Sequence, residues 1–459
     1  MLQRAPKRTF RRLVRFDRKG ILERCDELLR FLYAGAGTTK QTCSDPVQDM
    51  PEFKRVLGRL CLVGRADDNL AQALPRQVTP TIASNLIRHA RSCCTDQNPR
   101  CSECPLISFC PTGIDGLRKS LSGKAVSVDL FAGAGGLSAG FRHEGFHVAL
   151  AIEKDKNAAQ SYRVNNPGVP VLEADVRRIR PRDILRLLRY KRGEITAVIG
   201  GPPCQGFSAA GPRRPMARRN FLYRSFGAMS HGLGVSFLVM ENVPGLKRVN
   251  GVGFQDRILA HFRDCGYVGK AVELDASKFG VPQRRKRVFF VCTRRGFRAA
   301  PTKLRPIKKK GNPSVAQALT GLPRPRLSDT KDGIPGQAVA LWNHRAMVHS
   351  NKVVRKIRKI EPGSGPISYR RLRLDLAHTI IAGHRAMPVH PRQHRTITVR
   401  EAARIQTMPD WFCFLGPHSE QPLQIANVVP FDLARATART LLFAMKRPVH
   451  NFRLGPNAN

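Results

Sequence analysis

Acidic residues are scarce in this chain: its 459 residues hold 33 Asp and Glu against 79 Lys and Arg, a formal net charge of +46. The cations are spread along the chain and not gathered in a tail. Several cationic faces are therefore expected, and with them attraction to phosphate backbones and steeply salt-dependent binding. An arginine-biased genome would also raise the count, but nucleic acid is the partner class the balance favours. No amphipathic basic helix stands out, so an anionic membrane surface is the lesser option. Apolar runs approaching the ~20 residues of a membrane span are missing as well. The stretch Met1 to Lys19 is Arg/Lys-rich and lacks the apolar core of a secretory leader, so a soluble, cytoplasmic protein with no membrane partner is expected. Internal repeats are absent. The twelve cysteines do not describe a disulfide scaffold: five fall between Cys93 and Cys110, and the other seven are scattered singly. That distribution suggests one local metal cluster plus individual thiols. A hydrophobic content of 42% leaves room for real cores in two or three domains.

Residues 1–116 hold helical-looking segments, Gly20–Tyr33 and Thr81–Ser92 among them, and end in the cysteine group. Small and polar residues at 117–125 read as a linker. From Val126 to Thr293 short apolar runs alternate with longer, helix-compatible stretches. Val126–Phe131, Val148–Glu153, Val171–Leu172, Ala197–Gly200, Phe237–Met240 and Val288–Cys292 read as buried strands. The alternation predicts an α/β domain with a mostly parallel sheet. The pattern breaks between about 294 and 392, a basic, Pro- and Gly-rich stretch read as a loop-rich insertion. Regular structure resumes with helices near Thr398–Met408 and Phe431–Lys446.

Four groups of residues carry chemistry. Val128–Leu137 is a strand running into a turn with Gly133, Gly135 and Gly136, where the backbone turns sharply and comes close to a ligand. Glu153 ends the next apolar run and Asp175 follows the one after. Each acid alone reads as a surface cap, yet at neighbouring strand ends the three together describe an adenosyl site. Gly200-Gly201-Pro202-Pro203-Cys204-Gln205-Gly206 then holds one thiol on a rigid loop. Such a cysteine serves as a thiolate nucleophile if its pKa is lowered or a base is near; the bland reading is a buried thiol. Glu241-Asn242-Val243 closes another apolar run, placing an acid where it could protonate a ring nitrogen or hold an exocyclic amine. In Gln283-Arg284-Arg285-Lys286-Arg287 the alternate residues Arg285 and Arg287 share a face. They would clamp a carbonyl or a phosphate, or on an exposed edge would merely be solvated.

In this order the motifs resemble the cytosine-5 DNA methyltransferase family, and Arg395–Gln406, Pro409-Asp410 and Gln424–Pro430 continue the match to about Met445. The resemblance implies a Rossmann-like S-adenosylmethionine-dependent domain at 117–293 and 393–459, with a small irregular target-recognition domain at 294–392. It also implies double-stranded DNA as partner, action as a monomer, and a restriction–modification setting with a cognate endonuclease. Cys204 would attack C6 of a flipped cytosine, Glu241 would engage N3 and the 4-amino group, Arg287 would hold O2, and Arg285 would support the site. Phe131, Gly133, Gly135, Glu153, Asp175, Pro202 and Asn427 would bind the donor. Two departures stand out: Ala426-Asn427-Val428-Val429-Pro430 replaces the usual Gly-Asn-Ala-Val-Pro, and no acid precedes Arg218-Arg219-Asn220.

Cys94, Cys101, Cys104 and Cys110 are separated by six, two and five residues. Four thiolates in so short a loop wrap a [4Fe–4S] cube, or less comfortably a zinc ion. The spacing resembles the iron–sulfur loop of endonuclease III-type DNA glycosylases, with Phe53–Gly64 and Asn85–Cys94 as the preceding helices and Cys93 as a spare thiol. The glycosylase's catalytic aspartate would fall on Met50, one residue from Asp49. Residues 1–116 are therefore read as a helical glycosylase remnant that grips DNA or is simply stapled by its cluster. The rival readings are a DNA-binding protein without turnover, a bifunctional methylase and mismatch glycosylase, and a methyltransferase acting on transfer RNA.

Overall fold

The computed structural model describes residues 123–203, 221–297, 313–327, 342–381 and 387–446, apart from 247, 250, 251, 367 and 368, together with Val56, Leu304 and scattered positions of 86–113. The helix expected at Gly20–Tyr33 lies outside the described residues. Of those expected nearer the cysteines, Val56, Leu86, Ile87 and residues 89–92 are helical.

Seven strands form one sheet: β1 Val126–Leu130, β2 His147–Glu153, β3 Val171–Glu173, β4 Ala197–Gly200, β5 Phe237–Asn242, β6 Tyr267–Asp275 and β7 Lys286–Arg294. Their order is β3-β2-β1-β4-β5-β7-β6. The first five run parallel, and β7 is antiparallel to both β5 and β6. Apolar runs such as Ala197–Gly200 and Phe237–Met240 are buried on both faces, as a sheet covered by helices on each side requires. One face carries α3 Pro181–Leu188, α4 Leu222–Leu233 and α5 Phe254–Asp264, through side chains such as Ile184, Phe226 and Phe262. The other carries α1 Gly136–His143, α2 Lys156–Asn165 and α10 Phe431–Lys446, through Phe141, Tyr162 and Leu433. β6 is the strand the apolar pattern did not predict. It is the sheet's edge, and its mixed burial and the polar Lys270 and Glu273 hide it.

Register aligns the strand ends. Leu130 pairs with both Ile152 and Gly200, and Gly200 pairs with Met240. Phe131, Glu153, Gly201 and Glu241 thus lie along one edge, at the reversal of strand order between β1 and β4 where such sheets bind ligands.

The stretch 294–392 holds, among its described residues, α6 Val315–Leu319, α7 Asn351–Arg358 and a two-residue ladder of Arg326–Leu327 with Arg345–Ala346. Its Leu372, Ala377 and Ile380 share one core with Ala402 of α8 Val399–Ile405 and Ile425 of α9 Gln421–Asn427. The α8 start is a reciprocal cap: the Glu401 N–H donates to the Thr398 hydroxyl at 3.1 Å, and the Thr398 N–H to the Glu401 carboxylate at 2.7 Å. Thr398→Ala should lower the urea midpoint by the equivalent of about 1 kcal/mol, because it removes that cap and the partner of His344 Nδ1; an unchanged midpoint would refute the cap's contribution.

Candidate active site

The turn after β1 is built on left-handed backbone: Phe131 has φ 57°, Gly133 56° and Gly135 91°. At Gly135 a Cβ would stand 2.1 Å from the Asn166 side-chain nitrogen, so glycine is required twice over, by conformation and by space. A Cβ at Gly133 would meet nothing within 4 Å. That backbone opens on free space. The Glu153 carboxylate ties β2 to the turn, accepting from the Gly133 N–H at 2.8 Å and from the Lys154 and Asp155 N–H groups at 2.7 Å. Burial pushes its pKa up, against the pull of those N–H groups.

Asp175 caps the single turn Val176–Arg178 and is gripped by Arg177, Nε at 2.9 Å and Nη2 at 2.5 Å. That grip holds its carboxyl down to about 2. The capping function that an isolated acid suggests is thus present, and any ligand must share the carboxylate with Arg177.

Gly201 and Pro202 follow β4, and Pro202 is buried, its carbonyl accepting from Asn242 at 3.3 Å. Cys204 lies outside the described residues. The loop that leads to it runs against Glu241: a Cβ at Gly201 would stand 2.9 Å from Oε2 of Glu241. Oε1 of Glu241 meets Arg287 Nε at 2.9 Å, and each residue is 9% exposed. Burial raises the Glu241 pKa, with Arg287 and then Arg285 opposing it.

Arg285 shares that neighbourhood but has other partners. It is fully buried and donates through Nη2 to the carbonyls of Ala426 at 2.7 Å and Val428 at 2.9 Å. The alternation that set the two arginines on one face gave no sign of this. Arg287 meets the acid, whereas Arg285 anchors the peptide bearing Asn427, whose side chain is exposed. That peptide also borders the glycine turn: a Cβ at Gly136 would stand 3.0 Å from the Val429 carbonyl.

Three residues here were not singled out from the sequence. Asp129, fully enclosed in β1, accepts from the Ser138 hydroxyl at 2.6 Å, which accepts from Tyr162 at 2.6 Å. Asp129 stands in the Asp-Leu-Phe run, but nothing in the sequence distinguished it from a strand-end cap.

Of the four expected cluster cysteines, Cys104 and Cys110 are buried and Cys94 and Cys101 half-buried. Among the described residues Cys104 joins a compact donor group with His89 and Cys93, all three ligand atoms within 4.8 Å of one another. His89 and Cys93 were not in the expected set.

The profile of the C-5 cytosine-specific DNA methylase family matches residues 126–442. The chain belongs to this family. It is 34% identical over 332 residues to the type II methyltransferase M1.HphI of Haemophilus parahaemolyticus, covering 69% of this chain and 86% of that one. To M.DdeI of Desulfomicrobium norvegicum it is 32% identical, over 68% of this chain and 88% of the relative. Among solved structures it resembles a prophage-encoded E. coli chain described as a DNA modification methyltransferase, at 27% identity and TM-score 0.58, over 71% of this chain and all of that one. The activity is thus methyl transfer from S-adenosylmethionine to C5 of cytosine in DNA.

Burial pushes the Asp129 pKa up to about 7 from an ordinary 3.8. A raised carboxyl pKa gives stability that is full at low pH and is lost as pH rises through the folded value. The family member should therefore lose stability between pH 4 and 7, by on the order of a few kcal/mol. Asp129→Asn should be flatter across that window in urea melts; equal slopes for the two proteins would refute the assignment.

Proposed function

We propose that methyl transfer runs through a covalent adduct on Cys204. Its thiolate adds to C6 of a cytosine everted from duplex DNA, an eversion that costs a few kcal/mol of unstacking. Glu241, whose pKa burial raises against the pull of Arg287, takes up a proton and hydrogen-bonds N3 and the 4-amino group, and Arg287 holds O2. C5 then carries the electron density. Bound S-adenosylmethionine supplies an electrophilic methyl group there; loss of the C5 proton and expulsion of the Cys204 sulfur restore the ring. The observation that carries this reading is the near-buried Glu241–Arg287 pair set against Gly201. The open backbone at Gly133, with Val428 and Val429 packed on Gly136 of the same turn, fits the donor. Phe131, Gly133, Gly135, Glu153, Pro202 and Asn427 would hold it, with Asp175 sharing its carboxylate between Arg177 and the adenine amine.

Mixed-sequence duplexes carrying 5-fluorocytosine, incubated with the chain and S-adenosylmethionine, should give a denaturation-resistant complex, since fluorine at C5 blocks elimination. Cys204→Ala should bind DNA and form none. Glu241→Gln should slow methyl transfer by about a hundred- to ten-thousand-fold. An adduct formed by Cys204→Ala would sink the proposal.

We propose further that residues 1–116 form a helical module whose Cys94, Cys101, Cys104 and Cys110 hold a [4Fe–4S] cube, as their spacing suggests. Residues 117–293 and 393–459 would make the catalytic domain and 294–392 the target-recognition domain of a cytoplasmic, nucleoid-associated monomer that acts on double-stranded DNA beside a cognate endonuclease. One observation favours a second reading of the metal loop. Sulfurs around a single tetrahedral ion with ~2.3 Å bonds lie roughly 3.8 Å apart, which the compact trio of His89, Cys93 and Cys104 suits better than a cube. Metal analysis of anaerobically purified full-length chain decides between them. The cube requires iron and sulfide in equal amounts, lost in Cys94→Ser and Cys101→Ser; zinc lost in His89→Ala and Cys93→Ser would overturn it.

A further inference from the structure

Helix α7 and the residue after it carry five cations and no acid: Lys352, Arg355, Lys356, Arg358 and Lys359, all exposed. None is ion-paired with a described residue, whereas other arginines of the surrounding structure are engaged. Arg373 meets Asp375, Arg395 meets Glu401 and Arg404 meets Asp410. Lys352 and Lys356, and Arg355 and Lys359, stand four residues apart on one side of the helix. Like charges at that spacing destabilise an isolated helix. The helix dipole favours the cations of the last turn, but it opposes Lys352 in the first. The opposite side is fastened down: Ile357 is buried, and its carbonyl accepts from the buried Arg371 at 2.8 Å. A rigidly seated stripe of unneutralised cations is thus held out to solvent on the insertion.

We propose that this stripe is a sequence-independent clamp for the sugar-phosphate backbone of duplex DNA beside the target base. The inference rests on the DNA methyltransferase activity and names where its substrate is gripped. From Lys352 to Lys359 the helix axis advances about 10 Å. One strand of a duplex presents a phosphate every ~3.4 Å along its axis, so the stripe matches about three phosphates. Contacts of that kind position a duplex without reading its bases.

The test is the salt dependence of DNA binding by the full-length chain, with a mixed-sequence duplex as probe. Replacing Lys352, Arg355, Lys356 and Lys359 by Gln should lower the slope of log K against log[salt] by about 3, at ~0.9 for each phosphate no longer neutralised. Replacing Lys352, Lys356 and Lys359 by Arg, which keeps every charge, should leave the slope at the wild-type value. A control that replaces the exposed Arg178, Arg182 and Arg186 of the catalytic domain by Gln should also keep it. A wild-type slope in the glutamine variant overturns the clamp, as does an equal drop in the control or in the arginine variant. Methyl transfer by the wild-type chain, measured alongside, reports separately on the activity itself.

Discussion

The site depends on one strand running backwards. In a wholly parallel sheet, the beginning of the strand beside β5 would lie at the edge opposite the ligand. Because β7 is antiparallel, its first residues sit beside the last residues of β5: Asn242 pairs with Val288 and Glu241 with Phe289. Arg287, just before Val288, therefore arrives next to Glu241, and their 2.9 Å contact closes with both side chains nearly out of water. A buried ion pair adds little net stability, because removing two charges from water costs several kcal/mol each. Its consequence is chemical. The acid is held by a guanidinium that also faces the ligand edge, and its pKa is set by two opposed influences.

Around that edge the chain solves a second problem with arginine. Segments with little regular structure leave carbonyls unpartnered, and an unpaired buried carbonyl is expensive. Arg285 donates to Ala426 and Val428, Arg371 to His390, Gln393 and Ile357, and Arg400 to Trp342, Pro409 and Phe412. The guanidinium, with five donors in a planar fork, can join several strands of irregular backbone that no ladder would connect. Part of the arginine excess is therefore internal scaffolding. The stretch around Arg371 and the peptide bearing Asn427 are held by the same device.

This explains what the sequence conveyed and what it withheld. Residues buried on both sides of a sheet must be apolar, so β1, β2, β4, β5 and β7 were each legible within two residues of their bounds. Glu241 was read from the end of one apolar run and Arg287 from the alternation leading into another, and the structure brings the two side chains together. The edge strand β6 was not legible, since three of its nine residues are exposed and four only half-buried. Nor were the separate duties of Arg285 and Arg287, which alternate in sequence but differ in what packs above them. Asp129 carried no mark in the sequence; its enclosure depends on Ser138 and Tyr162, brought over it by α1 and α2. The cysteine group was read by spacing along the chain, and spacing does not register His89, one helical turn before Cys93.

The shortage of acids also takes on a structural meaning. Among the described residues several acids are committed inside the fold: Glu144 joins the end of α1 to Arg435 and Arg439 of α10, Glu401 caps α8 and meets Arg395, and Asp183 meets Arg180. Asp129 is enclosed and leans toward its neutral form. With 33 acids against 79 lysines and arginines, every acid engaged inside the fold is one fewer to offset an exposed cation, and the positive field reaches solvent. Restoring acids to such surfaces would lower the field without touching the fold. A chain whose substrate is a polyanion gains by leaving them out, because steering by uncompensated charge acts before any base is read.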